Sequence, residues 1–95
     1  MKSQEHEVGY ALRRSKTDII VEILRVANEG AKKTHIMYRC NLSHTQLQAY
    51  LRLLLSMGFL LSHPEKESSK SDRLKTTAKG IKFQDAYSTL KALMT

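Results

Sequence analysis

The chain reads as mainly α-helical with one small β-hairpin: a helix-turn-helix, a hairpin directly behind it, and a further helix at the C-terminus. Three observations predict this. Between Lys33 and Gly58 two helical patterns are separated by a turn of about three residues, the spacing of a helix-turn-helix. From Phe59 to Thr76 the helical period gives way to two short runs around a polar turn. From Phe83 to Met94 apolar residues return at spacings of three and four.

Met1 to Arg14 is polar at first and then mixed, with Val8, Tyr10, Ala11 and Leu12 as a short arm and Arg13, Arg14 and Lys16 as a basic cluster. The first helix is expected from about Thr17 to Asn28. Ser15 and Asp18 match the S-x-x-D start signal. Ile19, Ile20, Ile23, Leu24 and Ala27 share one face, and Gly30 is the expected stop. Lys32 and Lys33 precede Thr34, the expected N-cap of a short second helix ending at Cys40. Ile36, Met37 and Cys40 should face inward, with Tyr38 and Arg39 nearer the surface. Lysines at a helix N-terminus oppose the macrodipole; a phosphate bound there would relieve the conflict.

Asn41-Leu42-Ser43-His44-Thr45-Gln46-Leu47 is the most legible point of the chain. Ser43 and Gln46 form a capping box, and Leu42 and Leu47 occupy the positions of a hydrophobic staple. The third helix runs from Thr45 to about Met57, and Gly58 ends it. Leu47, Tyr50, Leu51 and Leu54 fall on one side, the core side. Thr45, Ala49, Arg52 and Ser56 fall opposite, with Gln48 at the edge.

Phe59 to Ser62 reads as a strand, His63 to Asp72 as a polar loop, and Arg73 to Thr76 as a half-buried strand. The loop offsets Lys66 and Lys70 with Glu65, Glu67 and Asp72, so Lys70, Arg73 and Lys75 are its candidate contacts. Thr77 caps a last helix from about Ala78 to Met94. Its stripe of Phe83, Ala86, Tyr87, Leu90, Leu93 and Met94 suits a second subunit, and Ile81 is expected to pack on the body. The alternative is that the whole stripe folds back on its own domain.

The totals narrow the function. Ninety-five residues make one domain. It divides into an arm (1–14), a helix-turn-helix body with its hairpin (15–76) and a C-terminal helix (77–95). A chain this short buries only roughly 60–65% of its unfolded surface, so a second copy would add burial. Sixteen Lys and Arg against nine Asp and Glu give a formal net charge of +7 and a pI near 9.8. Such a balance favours a polyanion, either nucleic acid or an anionic membrane surface. No apolar run is long enough to span a membrane, and the N-terminus has no signal core. The one cysteine, Cys40, excludes an internal disulfide, fits a reducing cytosol and reads as a small core residue.

No G-x-S-x-G, phosphate-cradling glycine loop or H-E-x-x-H is present. Neither catalysis nor a cofactor is expected. A metal site from Cys40, His44 and His35 lacks paired-ligand spacing and is interrupted by the turn. His44 suits a phosphate or base edge better. The outward face of the third helix suits the DNA major groove: Arg can bond guanine, Gln can bond adenine, and Ala or Thr can touch a thymine methyl. The expected DNA-binding residues are His44, Thr45, Gln48, Ala49, Arg52, Lys32, Lys33, Lys70, Arg73 and Lys75. An ordinary solvated face is the plain alternative, as is a protein-interaction module that binds no DNA.

Several blocks together resemble a family of small basic archaeal winged helix-turn-helix DNA-binding proteins. They are Ser15-Lys16, Asp18-Ile19-Ile20, Lys33-Thr34, Ile36-Met37-Tyr38, Asn41-Leu42-Ser43, then Tyr50, Leu51, Leu54 and Gly58, and Thr77 with Lys79-Gly80. The resemblance covers about Ser15 to Leu90. It implies duplex DNA binding, by a sequence-specific regulator or an abundant chromatin protein on the nucleoid. It also implies a homodimer joined by an antiparallel coiled coil of C-terminal helices. Three departures stand out. Cys40 replaces a small apolar residue. Thr76 replaces a larger one, so its strand is expected to pack less well. The last helix is shorter than in the longest family members, and the N-terminal segment, Met1 to Arg14, is longer than is usual.

Overall fold

The computed structural model describes residues 14–63 and 73–95. Seven elements follow in order: α1 (Lys16–Val26), β1 (Ala31–Lys32), α2 (Lys33–Cys40), α3 (His44–Ser56), β2 (Leu60–His63), β3 (Arg73–Thr76) and α4 (Ala78–Leu93). Residues 1–13 of the arm and residues 64–72, with Lys66 and Lys70, lie outside the described residues.

Local signals start three of the four helices. At α1 the Ser15 hydroxyl accepts from the Asp18 N–H at 3.0 Å, and the Asp18 carboxylate accepts from the Ser15 N–H at 3.0 Å. The bond from the Ser15 backbone is the main reason the Asp18 carboxyl sits below its ordinary value. At α3 the same box closes between Ser43 and Gln46, at 3.1 and 2.9 Å. Thr77 caps α4 by accepting from the Gly80 N–H at 3.0 Å.

The start of α2 differs from the expectation. Its N-cap is Lys32, which makes no side-chain cap bond, and Thr34 lies inside the first turn. The cause is β1: Lys32 is already committed to the sheet, so the chain passes from strand to helix without room for a separate cap. At its other end Asn41 adopts a left-handed φ of 56°, and the Leu42 N–H returns to the Met37 carbonyl at 3.0 Å. Asn tolerates this conformation better than most residues. The tight turn into α3 depends on it.

The sheet has three antiparallel strands in the order β1-β3-β2, one more than the expected hairpin. Ala31 pairs with Leu74 and Lys32 with Arg73. On the other side Leu60, Leu61, Ser62 and His63 pair with Thr76, Lys75, Leu74 and Arg73. The Arg73 guanidinium also donates to the Gly30 carbonyl at 3.2 Å. Ile23, Leu24 and Ala27 of α1, Ile36 and Cys40 of α2, and Leu47, Leu51 and Leu54 of α3 form the core with Phe59, Leu60 and Leu74.

Thr76 does not loosen its strand. It is buried, its hydroxyl donates to the Leu24 carbonyl at 2.7 Å, and its N–H donates to the Ala27 carbonyl at 3.0 Å. Leu24 lies in the last turn of α1, where carbonyls lack intrahelical partners. A threonine there serves better than a larger apolar side chain.

The packing of α4 also departs from the expectation. Its inner face is Gly80, Phe83, Gln84 and Tyr87, and Ile81 is 38% exposed rather than packed on the body. Gly80 permits the approach: a Cβ there would lie 2.5 Å from the Phe59 carbonyl oxygen. The rings of Phe83 and Phe59 lie 4.9 Å apart, centre to centre. Gln84 and Asn28 exchange two amide hydrogen bonds, at 2.7 and 3.4 Å. Phe83 thus serves its own domain, whatever else the stripe does. Beyond Tyr87 the helix exposes Leu90, Leu93 and Met94, at 53%, 79% and 73%.

Candidate nucleic-acid interface

The turn at Asn41 and the capping box at Ser43 set the angle of α3, and its leucines fix its rotation. With Leu47, Leu51 and Leu54 buried, helical geometry turns Thr45, Ala49, Arg52 and Ser56 outward, and all four are exposed. His44 is exposed beside them. Gln48 is half-buried, and its amide nitrogen lies 3.4 Å from His44 Nε2. These six side chains therefore form one open surface that no other part of the described chain covers.

Two grooves meet at the start of α2 and share residues. One, of about 190 Å³, is lined by Lys32, Lys33, Thr34 and Met37 together with His44, Leu47 and Gln48 of α3. The other, of about 530 Å³, is lined by Lys32, Thr34, His35 and Tyr38 together with Gly30 and Arg73. Lys32 and Thr34 belong to both. The start of α2, with no side-chain cap, therefore lies between the outward face of α3 and the sheet. Backbone N–H groups at such an end attract anions, and two adjacent lysines strengthen the field.

Of the residues expected to touch DNA, the structure brings together His44, Thr45, Gln48, Ala49 and Arg52 on α3, and Lys32 and Lys33 at the start of α2. Arg73 and Lys75 lie on the exposed side of β3. Lys70 falls outside the described residues. Arg14, expected in a basic cluster, is tied elsewhere. It pairs with Glu22 at 2.6 Å and donates to the Cys40 carbonyl at 2.6 Å. That bond secures the end of α2.

A signal in the sequence that this reading missed is the absence of acid. From Gly30 to Pro64 the chain contains no Asp or Glu, while it carries Lys32, Lys33, Arg39 and Arg52. Both helices of the helix-turn-helix thus present cations and hydroxyls with no carboxylate to repel phosphate. Cys40 is buried, and burial pushes its thiol pKa up. It is a poor ligand or nucleophile in that state. Among the described residues no group of three or more His, Cys, Asp or Glu could hold a metal ion, and no helix is long and apolar enough to cross a membrane.

Comparison with known proteins adds the following. A family model described as winged helix-turn-helix matches residues 13–95. An uncharacterized protein of Methanocaldococcus jannaschii is 40% identical over 55 residues, and the match spans 57% of either chain. Among solved structures, Sso10a-2, a DNA-binding protein from Sulfolobus solfataricus, superposes with a TM-score of 0.73 at 22% identity, covering 85% of this chain and 82% of its own. The PcaV transcriptional regulator from Streptomyces coelicolor gives 0.72 at 18% identity, covering 80% and 57%. MepR of S. aureus, in complex with DNA, gives 0.70 at 14% identity, covering 99% and 77%. At these identities the solved structures share the fold.

Proposed function

The chain belongs to the winged helix-turn-helix family, and from that premise we propose that it binds duplex DNA, as a homodimer, with α3 in the major groove. One observation carries the reading: the side of α3 bearing Thr45, Ala49 and Arg52 is open and adjoins an acid-free, lysine-bearing surface. Arg52, Gln48, Thr45 and Ala49 are of the types that read base edges. Lys32, Lys33, Arg73 and Lys75 would hold phosphates, which set position without reading sequence. Fold neighbours that bind DNA, Sso10a-2 and MepR, favour the same reading. The protein would act by binding rather than by catalysis, at the nucleoid, as a transcriptional regulator or an architectural protein. Two copies joined through the exposed end of α4 would address half-sites about one helical turn apart, or a multiple of it.

The test is affinity for duplex DNA across a salt series. Binding is expected to weaken steeply as salt rises, because each neutralised phosphate releases counterions. A flat response would remove the electrostatic basis of the assignment. Arg52→Ala should cost about 1–3 kcal/mol on the preferred sequence and less on others. An equal loss on all sequences would reduce Arg52 to a phosphate contact. Selection from random DNA then separates the roles: a strong consensus marks a regulator, and none marks an architectural protein.

A further inference from the structure

The larger groove, which brings α2 together with Val26, Gly30 and Ala31, carries an aromatic side chain that duplex binding leaves unused. Ile36 and Cys40 bury one side of α2. Thr34, His35 and Tyr38 are three and four residues apart, share an exposed face, and all line this groove of about 530 Å³. Lys32 adds a cation, and the lining contains no carboxylate. The volume lies in the range of sites that hold one small organic group. Tyr38 is 83% exposed, more than any other large hydrophobic side chain among the described residues. Neither its ring nor its hydroxyl has a partner among those residues. Tyrosine is only a middling helix former, so the fold gains nothing by carrying one at a solvated helix position.

We infer that this groove binds single-stranded nucleic acid, with an unpaired base stacked on Tyr38. Every base has a π-face, so a free aromatic ring in a cationic groove holds a single strand without reading its sequence. Thr34 and His35 offer hydrogen-bonding groups to the sugar or to the exposed base edges. A paired base cannot use the ring, because its neighbours in the duplex cover both its faces. Tyr38 is therefore the residue that distinguishes a single strand, while Lys32 serves a phosphate of either form. The groove also suits a strand better than a lone nucleotide. Lys32 and Thr34 line the adjoining groove as well, which leads to Lys33 and His44, so successive nucleotides have a continuous path. Arg73 lines the groove, but its guanidinium serves the Gly30 carbonyl and is given no role. No residue of α3 belongs to this lining, so the inference stands apart from duplex reading by α3.

The experiment compares the wild type with Tyr38→Ala and Tyr38→Phe by fluorescence anisotropy. The probes are a dye-labelled oligothymidylate of about twelve nucleotides, which does not pair with itself, and a short duplex. Thermal melts establish that each exposed substitution leaves the fold in place. Tyr38→Ala should weaken single-strand binding by about 5- to 150-fold, the worth of one base–aromatic stack, while Tyr38→Phe keeps the ring and stays within about twofold of the wild type. Duplex affinity should be the same in all three. Tyrosine emission of the wild type should fall as the oligothymidylate is added. That quenching should be largely lost in Tyr38→Ala, where Tyr10, Tyr50 and Tyr87 remain. If Tyr38→Ala holds the single strand as tightly as the wild type, or loses duplex and single strand alike, or if Tyr38→Phe binds as weakly as Tyr38→Ala, the inference is overturned. A wild type that binds duplex but no oligothymidylate overturns it and leaves the duplex reading standing. A wild type that binds oligothymidylate through Tyr38 but no duplex supports it and removes the duplex reading instead.

Discussion

Thr76 shows how one side chain can join two elements distant in sequence. Its hydroxyl reaches a last-turn carbonyl of α1, and its backbone N–H reaches the carbonyl of Ala27, the C-cap of that helix. Thr76→Val keeps the shape but leaves the Leu24 carbonyl without that donor in a dry setting. The expected cost is about 1–3 kcal/mol, read as a drop of roughly 4–8 °C in melting temperature per kcal/mol for a domain of this size. An unchanged melting curve would mean that water replaces the hydroxyl there. Cys40 fills a core position, as its place at a helix end among apolar residues leads one to expect. Thr76 is different: its chemistry is invisible until α1 is seen above it.

Among the elements, α3 owes its start to local bonding and its orientation to packing. Ser43 meets the Gln46 N–H, and Gln46 returns the bond to the Ser43 N–H. Ser43→Ala should destabilise the chain by about 1 kcal/mol, measurable by urea unfolding with an unchanged slope. A loss near zero would show that packing alone holds the helix start. The three-stranded sheet behaves in the opposite way. β1 has only two residues, too few for any alternation to register, and its strand character comes from Leu74 and Arg73 on β3. Helix α4 lies between these cases. Thr77 marks its start legibly, but its body-facing side is chosen by the missing Cβ of Gly80 and the amide pair of Gln84 with Asn28. Counting apolar residues favours Phe83 to Met94 as one outward stripe. In the folded chain that stripe divides, with Phe83 on the body and Leu90, Leu93 and Met94 left outside.

At the scale of the molecule, this division bears on assembly. A helix that ends in three exposed large apolar side chains gains by burying them against a second copy, at about 25 cal/mol per Å² of apolar surface. The double variant Leu90→Asp/Leu93→Asp should convert a dimer to a monomer in sedimentation equilibrium while the body keeps its circular dichroism. A wild type that sediments as a monomer at all concentrations would refute the proposed assembly. DNA affinity should fall when dimerisation is lost, since two linked sites bind more tightly than one. The amide pair between Asn28 and Gln84 helps hold α4 against the body, and in the proposed dimer it would bear on the spacing of the two α3 helices.

The sequence by itself determined where three of the four helices begin, which side of α3 turns inward, and the strong positive charge. These follow from interactions spanning a few residues: capping bonds, helical periodicity, a left-handed turn and composition. The tertiary structure alone decided that Ala31 and Lys32 form a strand, that Thr76 closes α1, which face α4 turns to the body, and that Lys32, Arg73 and His63 share a row. Each of those depends on partners far apart along the chain, as when Asn28 meets Gln84 fifty-six positions away. A local pattern carries no record of such a partner, because the contact exists only once the chain has folded back on itself.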